Sequence, residues 1–198
     1  MSSYLRADER RAATVESLLA LAAEQNPSDI TTTAIARRMG LTQGALFKHF
    51  PTREAIVEAV MASVEERLMA LLEAAAEGRR PVQALEAMFL AHAAFVADHP
   101  GVPRLLFGEL QRAEPTGPKR IAQALLARYA QLLVRVIDRG RSGDGIDPAL
   151  ASDEAAALFI GTLQGLVMQA LLAGSAERVR ERAPTAFALY RRAIEVRP

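Results

Sequence analysis

The sequence Thr31-Thr32-Thr33-Ala34-Ile35-Ala36-Arg37-Arg38-Met39-Gly40-Leu41-Thr42-Gln43-Gly44-Ala45-Leu46-Phe47-Lys48-His49-Phe50 lies in the first quarter of this chain of 198 residues. Its first half predicts a short helix whose apolar face carries Ile35, Ala36 and Met39. A hydroxyl of Thr32 or Thr33 is expected to accept a hydrogen bond from an unpaired N–H at the start of that helix. Gly40 follows at the position where a left-handed residue would end it.

The second half of the stretch predicts a second short helix, capped by Thr42. Leu46 and Phe50 are four residues apart, so they share its inner face. The outward face carries small and polar residues. Two helices joined in this way form a helix-turn-helix pattern, and the second has the size and polarity of a helix that enters the DNA major groove.

The charge of this region supports binding to nucleic acid. From Ile30 to Arg53 the chain has four cations and no Asp or Glu, although the whole chain is nearly balanced, with 24 basic and 23 acidic residues. Residues 1–53 hold 7 basic and 5 acidic residues. The positive excess therefore lies on the motif, where the neutralisation of phosphates would require it.

Composition indicates an all-α fold, because apolar residues make up 51% of the chain while alternating Val, Ile and Thr runs are lacking. The absence of Cys excludes disulfides and thiolate metal sites. The N-terminal residues lack the apolar core of a secretion signal, so we expect a cytoplasmic protein.

Hydrophobic periodicity and breakers predict helices over residues 6–25, 53–77, 81–98, 103–112, 119–140, 148–173 and 184–195 besides the two short ones. We expect a helix-turn-helix DNA-binding domain over residues 6–55, with residues 53–77 as a shared connector. Residues 56–198 are expected to form a helical ligand-binding and dimerisation domain.

The predicted helix at 148–173 carries no charge from Ala155 to Ala173. A membrane span needs about 20 such residues, but Thr162, Gln164 and Gln169 interrupt this one, so no membrane association is expected. A helix buried on two sides is favoured instead, with Gly161 and Gly165 offering a flat strip to another helix. We therefore expect a homodimer formed through the helices at 148–173 and 184–195.

Residues Ile30 to Val60 resemble the DNA-binding domain of tetracycline-repressor-type (TetR) regulators, and the specific match covers about residues 10–65. The resemblance implies a homodimeric transcriptional regulator that binds a palindromic operator in double-stranded DNA. It can be a repressor or an activator, and a repressor is favoured. A small-molecule effector in the C-terminal domain would change the spacing of the two recognition helices and release the DNA. It implies base or groove contacts from Thr42, Gln43, Gly44, Ala45, Phe47 and His49, and phosphate contacts from Thr32, Thr33, Lys48 and Arg53.

The side-chain chemistry is consistent with these roles. Gln43 can bond an adenine edge with both the carbonyl oxygen and the NH2 of its side-chain amide, and Lys48 can neutralise a phosphate or reach guanine. Phe47 stands where the family usually has Tyr, whose hydroxyl reaches a phosphate. Without that hydroxyl, the ring is left to pack against a thymine methyl or a sugar.

Apolar walls with a few polar groups are typical of a small-molecule site. The candidate lining residues are Met88, His92, Phe95, Arg104, Phe107, Gln111, Tyr129, Gln164 and Met168. The same residues are also compatible with an ordinary core and surface. Gln164 is the strongest candidate, because an amide in an uncharged helix needs a partner.

No catalytic motif is present: the three His are scattered, and there is no phosphate loop, Gly-x-Ser-x-Gly or metal-binding pair. We therefore expect neither an enzyme nor a cofactor nor a metal. The alternative to a regulator is a helical homodimeric scaffold, or a small-molecule-binding protein without DNA-binding activity.

Overall fold

The structure is a computed structural model that describes residues 7–143 and 145–196. The predicted all-α class is confirmed, and the described residues contain no strand beyond one isolated bridge between Ile146 and Glu195. The helices are α1 (Ala7–Glu24), α2 (Thr32–Arg38), α3 (Gln43–Phe47), α4 (Arg53–Ala76), α5 (Pro81–Asp98), α6 (Gly101–Leu110), α7 (Gly117–Arg141), α8 (Ser152–Leu172) and α9 (Glu177–Ile194), with a 3-10 turn at Pro27–Asp29.

The chain divides into two compact units, Met1–Glu66 with His99–Gln123, and Arg67–Asp98 with Ala124–Pro198. The first unit therefore includes α6 and the start of α7 besides the N-terminal helices. The predicted domains instead separate residues 6–55 from residues 56–198 by position along the chain. Arg6, Asp144 and residues 197–198 of that prediction lie outside the described residues.

The core of the first unit forms beneath the helix-turn-helix segment (residues 31–50). Ile30, Ile35, Leu46 and Phe50 are fully buried, as their spacing predicts. Leu18 of α1 and Ile56 of α4 are also fully buried, and α1 packs against α2. Helix α1 thus supplies the third side that two short helices require, since neither is long enough to be stable in water alone.

The ends of the short helices are fixed by local hydrogen bonds. Thr31 caps α2, its Oγ1 accepting from the N–H of Ala34 at 3.1 Å. The prediction of Thr32 or Thr33 as the cap is therefore wrong by one or two residues, because Thr31 is the last residue with extended backbone angles before the helix. Gly40 has φ +67°, the left-handed conformation expected at that turn. Thr42 caps α3 by accepting from Ala45 at 3.2 Å, as predicted.

Helix α6 lies against α1 within the first unit. It spans Gly101–Leu110 rather than the predicted 103–112, since Pro103 fits into a first helical turn. Gly101 is buried, and a Cβ at this position would overlap the carbonyl oxygen of Leu19. The close approach of the two backbones therefore requires glycine at position 101.

The second unit has its core between α5, α8 and α9. Phe159 is fully buried and meets Phe89 edge-on at 5.1 Å between ring centroids. It meets Tyr190 in the same way at 5.4 Å. The Tyr190 hydroxyl donates to the carbonyl of Ala155 at 3.0 Å, so the buried phenol is satisfied.

Helix α8 begins at Ser152 and not at Pro148, so the predicted start at 148 is wrong. The N–H of Asp147 donates to the carbonyl of Ile194 at 2.9 Å, and the Asp147 carboxylate accepts from Ala149 at 2.8 Å. Asp147 therefore caps a turn that is held against the end of α9. This long-range bond carries no sequence signal.

Helix α9 begins at Glu177, seven residues before the predicted start at Pro184. Proline within a helix removes a backbone hydrogen bond and usually marks a helix end. Here Val179 and Ala183 are fully buried on the N-terminal side of Pro184. Their burial stabilises the first turns of α9.

Candidate nucleic-acid interface

Helix α3 presents the face on which the sequence predicts contacts with bases. Gln43, Gly44, Phe47 and Lys48 are exposed, whereas Ala45 is half-buried. A Cβ at Gly44 would meet no atom within 4 Å, so the backbone here is open to a close partner. An exposed aromatic ring beside a lysine, with no acid in the segment, suits a groove lined by phosphates.

Gln43 is linked to α2 by its side chain. Its Nε2 donates to Thr32 Oγ1 at 2.8 Å, and the bond joins the first residue of α3 to the first residue of α2. The amide oxygen of Gln43 is left free to accept. Thr33, the other threonine predicted to touch phosphate, is exposed.

Arg53 is placed differently from the free cation that the sequence suggests. Its Nε donates to the carbonyl of Ile30 at 3.0 Å, and its Nη2 donates to that of Pro27 at 2.6 Å. The guanidinium thus ties the start of α4 to the segment before α2. Since Nε and Nη2 are used in these bonds, the predicted contact of Arg53 with phosphate would have to be made by Nη1.

Arg38 is paired with an acid from outside the motif. Its two terminal nitrogens each lie 2.8 Å from a carboxylate oxygen of Glu24 on α1. The hydrogen bond from Arg38 holds the pKa of Glu24 below its ordinary value. Arg37 and Lys48 are exposed and make no ion pair with the described residues, so they are the free cations of the motif.

Arg11 of α1 contributes to this surface although the sequence did not single it out. Its guanidinium lies 4.7 Å from the centroid of Phe50 and its Nη1 is 3.5 Å from the carbonyl of His49. His49 itself is half-buried. An arginine on the outer face of α1 carries no pattern that would link it to α3 before the fold is known.

The second unit holds six of the nine predicted ligand residues, and its best-defined polar pair is His92 with Tyr129. The Nδ1 of His92 lies 3.2 Å from the Tyr129 hydroxyl. Burial lowers the pKa of His92 to about 4 and raises that of Tyr129. Both groups are therefore neutral at physiological pH, so they interact with each other by hydrogen bonding and not by charge.

The other predicted ligand residues are spread through the fold. Met88 and Phe95 are buried, Gln164 is half-buried, and Met168 is 43% exposed on the outer face of α8. Arg104, Phe107 and Gln111 belong to the first unit. Their shared role in one site remains a prediction.

An open groove of about 630 Å³ lies on the second unit between the end of α4 and α7. Leu132 and Val136 form part of its floor, and Arg135 and Arg139 lie at its rim beside Glu73. None of the nine predicted residues lines it. The sequence could have indicated this groove only through α7, where apolar residues and arginines alternate at helical spacing.

A capped pair of short helices, a third helix behind them and an exposed, acid-free second helix define a helix-turn-helix DNA-binding domain. Residues 15–60 match the family described as bacterial regulatory proteins, tetR family. The chain is 24% identical over 161 residues to the nucleoid occlusion factor SlmA of Marinomonas sp., covering 81% of this chain and 82% of that protein.

Solved structures share the fold over nearly the full length. A TetR-family transcriptional regulator from Agrobacterium tumefaciens superposes with a TM-score of 0.81 at 17% identity, covering 96% of this chain and 100% of that one. The regulator FadR of Bacillus subtilis, in complex with stearoyl-CoA, gives 0.78 at 16% identity over 90% and 96% of the two chains. Residues 15–60 therefore form a DNA-binding domain of the tetR family, and the chain as a whole shares the fold of these solved regulators.

Two further observations concern other classes of site. No group of three or more His, Asp and Glu side chains within residues 7–143 and 145–196 is placed to hold a metal ion. Among the helices described, α8 alone is long and apolar enough to cross a membrane, with 33% of its most apolar window buried. Core helices meet the same criterion, so this is weak evidence for a membrane span.

Proposed function

We propose that this protein is a cytoplasmic repressor that binds a palindromic operator as a homodimer and is released by a small-molecule effector. The observation that carries the proposal is the outward face of α3, where Gln43, Gly44 and Lys48 are exposed with no acid beside them. Side chains of this kind on an exposed short helix reach base edges and phosphates in the major groove.

An exposed apolar seam on α8 supports the homodimer. Leu158, Gly161, Gly165, Met168 and Leu172 recur at intervals of three and four residues and so share one face of the helix. Leu158, Met168 and Leu172 are 50%, 43% and 82% exposed. No side chain within 4 Å of either glycine blocks the approach of another helix. Leu189 of α9 is also exposed, so the second predicted interface helix carries an apolar residue on its surface as well.

Two such copies would place their α3 helices one turn of DNA apart, about 34–36 Å, which requires a palindromic site. We propose that residues 6–55 form the DNA-binding domain and residues 56–198 the dimerisation and effector domain. The ligand of the Bacillus neighbour supports a small-molecule effector for this fold. Effector binding would change the separation of the two α3 helices and weaken their joint contact with DNA.

The function is tested by gel shift with genomic DNA fragments at stated salt, followed by footprinting of the retained fragment. We expect a palindromic footprint and a loss of affinity of about 10-fold or more for Gln43→Ala combined with Lys48→Ala. Arg192→Ala, an exposed cation of α9, is the charge-matched control and should bind like the wild type. Equal binding by all three proteins, or no retained fragment, would contradict the proposal.

A further inference from the structure

We propose that Thr32 is a positioning residue for base recognition: it holds the amide of Gln43 so that the protein selects adenine at one position of each half-site. The inference rests on the proposed DNA-binding function and adds the identity of the base that is read. It starts from the 2.8 Å hydrogen bond in which Gln43 Nε2 donates to Thr32 Oγ1.

This hydrogen bond fixes which end of the amide points away from the protein. A glutamine side chain has three rotatable bonds, and its two amide ends differ in hydrogen-bonding sense. Since the nitrogen is held by Thr32 on α2 and the Gln43 side chain is exposed, the oxygen Oε1 is the end of the amide left for a partner. Nε2 keeps a second N–H, so the pair offers one acceptor and one donor.

The chemistry of the major groove then restricts the base. Only adenine N6 and cytosine N4 offer donors there, whereas guanine and thymine present acceptors and a methyl group. Adenine has a donor and an acceptor, N6 and N7, side by side, which match Oε1 and the remaining N–H of Gln43. Cytosine supplies the donor without the second group on the same base. The orientation of the amide therefore favours adenine.

Thr32 is well suited to this role because its own position is fixed. It is the first residue of α2, and Thr31 before it is held by the cap of that helix. The hydroxyl therefore belongs to a helix anchored by the buried Ile35 and Ala36. A restrained Gln43 loses less side-chain freedom on binding than a mobile one, so the selection should be sharper.

The test is a selection of binding sites from randomised duplex DNA with the purified full chain, followed by competition binding at fixed salt. The base pair read by Gln43 is the one whose preference disappears in Gln43→Ala. The wild type should prefer adenine there by about 5-fold to 150-fold. Thr32→Val, which keeps the shape and removes the hydroxyl, should reduce that preference several-fold while the rest of the selected site is unchanged.

Two further variants separate positioning from other effects. Thr33→Val alters the neighbouring exposed threonine and should leave the adenine preference intact, whatever it does to overall affinity. Gln43→Glu keeps acceptors and loses both donors, so its preference should move from adenine to cytosine. Thermal unfolding of Thr32→Val within about 2 °C of the wild type would show that the fold is retained.

Two results would overturn the inference alone: a wild-type preference for guanine or thymine at that position, or full adenine selection by Thr32→Val. If the chain enriches no sequence at all, the proposed function fails and the inference fails with it. The two failures are therefore distinguished by whether a selected site exists.

Discussion

Arg38 of α2 and Glu24 of α1 form a two-point ion pair, with both N–O distances at 2.8 Å. The pair joins a cation of the acid-free motif to an acid 14 residues earlier in the chain. It therefore reduces the positive charge that the motif offers to phosphates. Counting charges from Ile30 to Arg53 therefore overestimates the positive charge available to DNA. The count omits Glu24, which lies outside the motif in the sequence and pairs with Arg38 only after folding.

We predict that Glu24→Gln binds DNA more tightly and with a steeper salt dependence than the wild type. The substitution frees the Arg38 guanidinium, and each additional phosphate contact steepens the slope of log K against log salt by about 0.9. The measurement is fluorescence anisotropy with an operator duplex at four or five salt concentrations.

Glu154→Gln is the control for that measurement, because it removes one exposed acid at the start of α8 instead. It should keep the wild-type slope. If both variants gave the same slope, the effect would come from net charge and not from Arg38.

The contact of α6 with α1 should make Gly101 intolerant of any side chain. We expect Gly101→Ala to destabilise the protein by about 2 kcal/mol or more, since the added methyl overlaps the Leu19 carbonyl and backbone cannot move aside cheaply. Chemical denaturation monitored by circular dichroism measures the change.

Gly108→Ala is the control, since Gly108 lies on the same helix with nothing within 4 Å of an added Cβ. It should be neutral or stabilising by up to about 1 kcal/mol, and equal destabilisation by both variants would show that the crowding at Gly101 is not the cause.

The apolar seam of α8 should control the oligomeric state. Leu158→Glu places a carboxylate at an exposed leucine of that seam, and an unpaired charge buried in an interface is costly. We expect light scattering after size exclusion to show a mass that falls toward the 21.4 kDa of one chain. Leu71→Glu changes a leucine of α4 that is also exposed, at 37%, and should stay dimeric. A dimeric Leu158→Glu protein would place the interface elsewhere.

Acidification should weaken the fold through His92. Its pKa is lowered from 6.5 to about 4 by burial, so between these pH values the unfolded chain binds a proton that the folded chain does not. The free energy of unfolding is therefore highest above about pH 6.5 and falls as the pH drops toward 4, by on the order of 3 kcal/mol for this group.

His92→Gln provides the comparison, because glutamine can still bond the Tyr129 hydroxyl and does not titrate. Urea unfolding of both proteins at pH 7.5, 6, 5 and 4.5 isolates the difference. The loss of stability on acidification should be smaller for the variant. Parallel curves would mean that His92 takes up a proton in the folded protein as readily as in the unfolded chain, so that its pKa is not lowered by folding.

Much of the fold is determined by the sequence alone, because the signals are local. Helix periodicity, the proline at 81 and the Thr42 cap place most elements within a few residues. Gly40 marks the left-handed turn, and Leu46 with Phe50 marks the buried face of α3. The exposed contact face follows from the same pattern, since the residues left over must point outward.

Only the tertiary structure decided the contacts between residues distant in sequence. Three examples each join different elements: the ion pair of Arg38 with Glu24, the hydrogen bonds from Arg53 to two backbone carbonyls, and the hydrogen bond between Gln43 and Thr32. The same holds for Asp147, whose bond to Ile194 holds residues 147–149 in a turn, so that α8 begins only at Ser152. It also holds for α9, where burial of Val179 outweighs the helix-breaking tendency of Pro184. Local preferences depend on neighbouring residues in the chain, whereas these contacts depend on which surfaces the packed helices bring together.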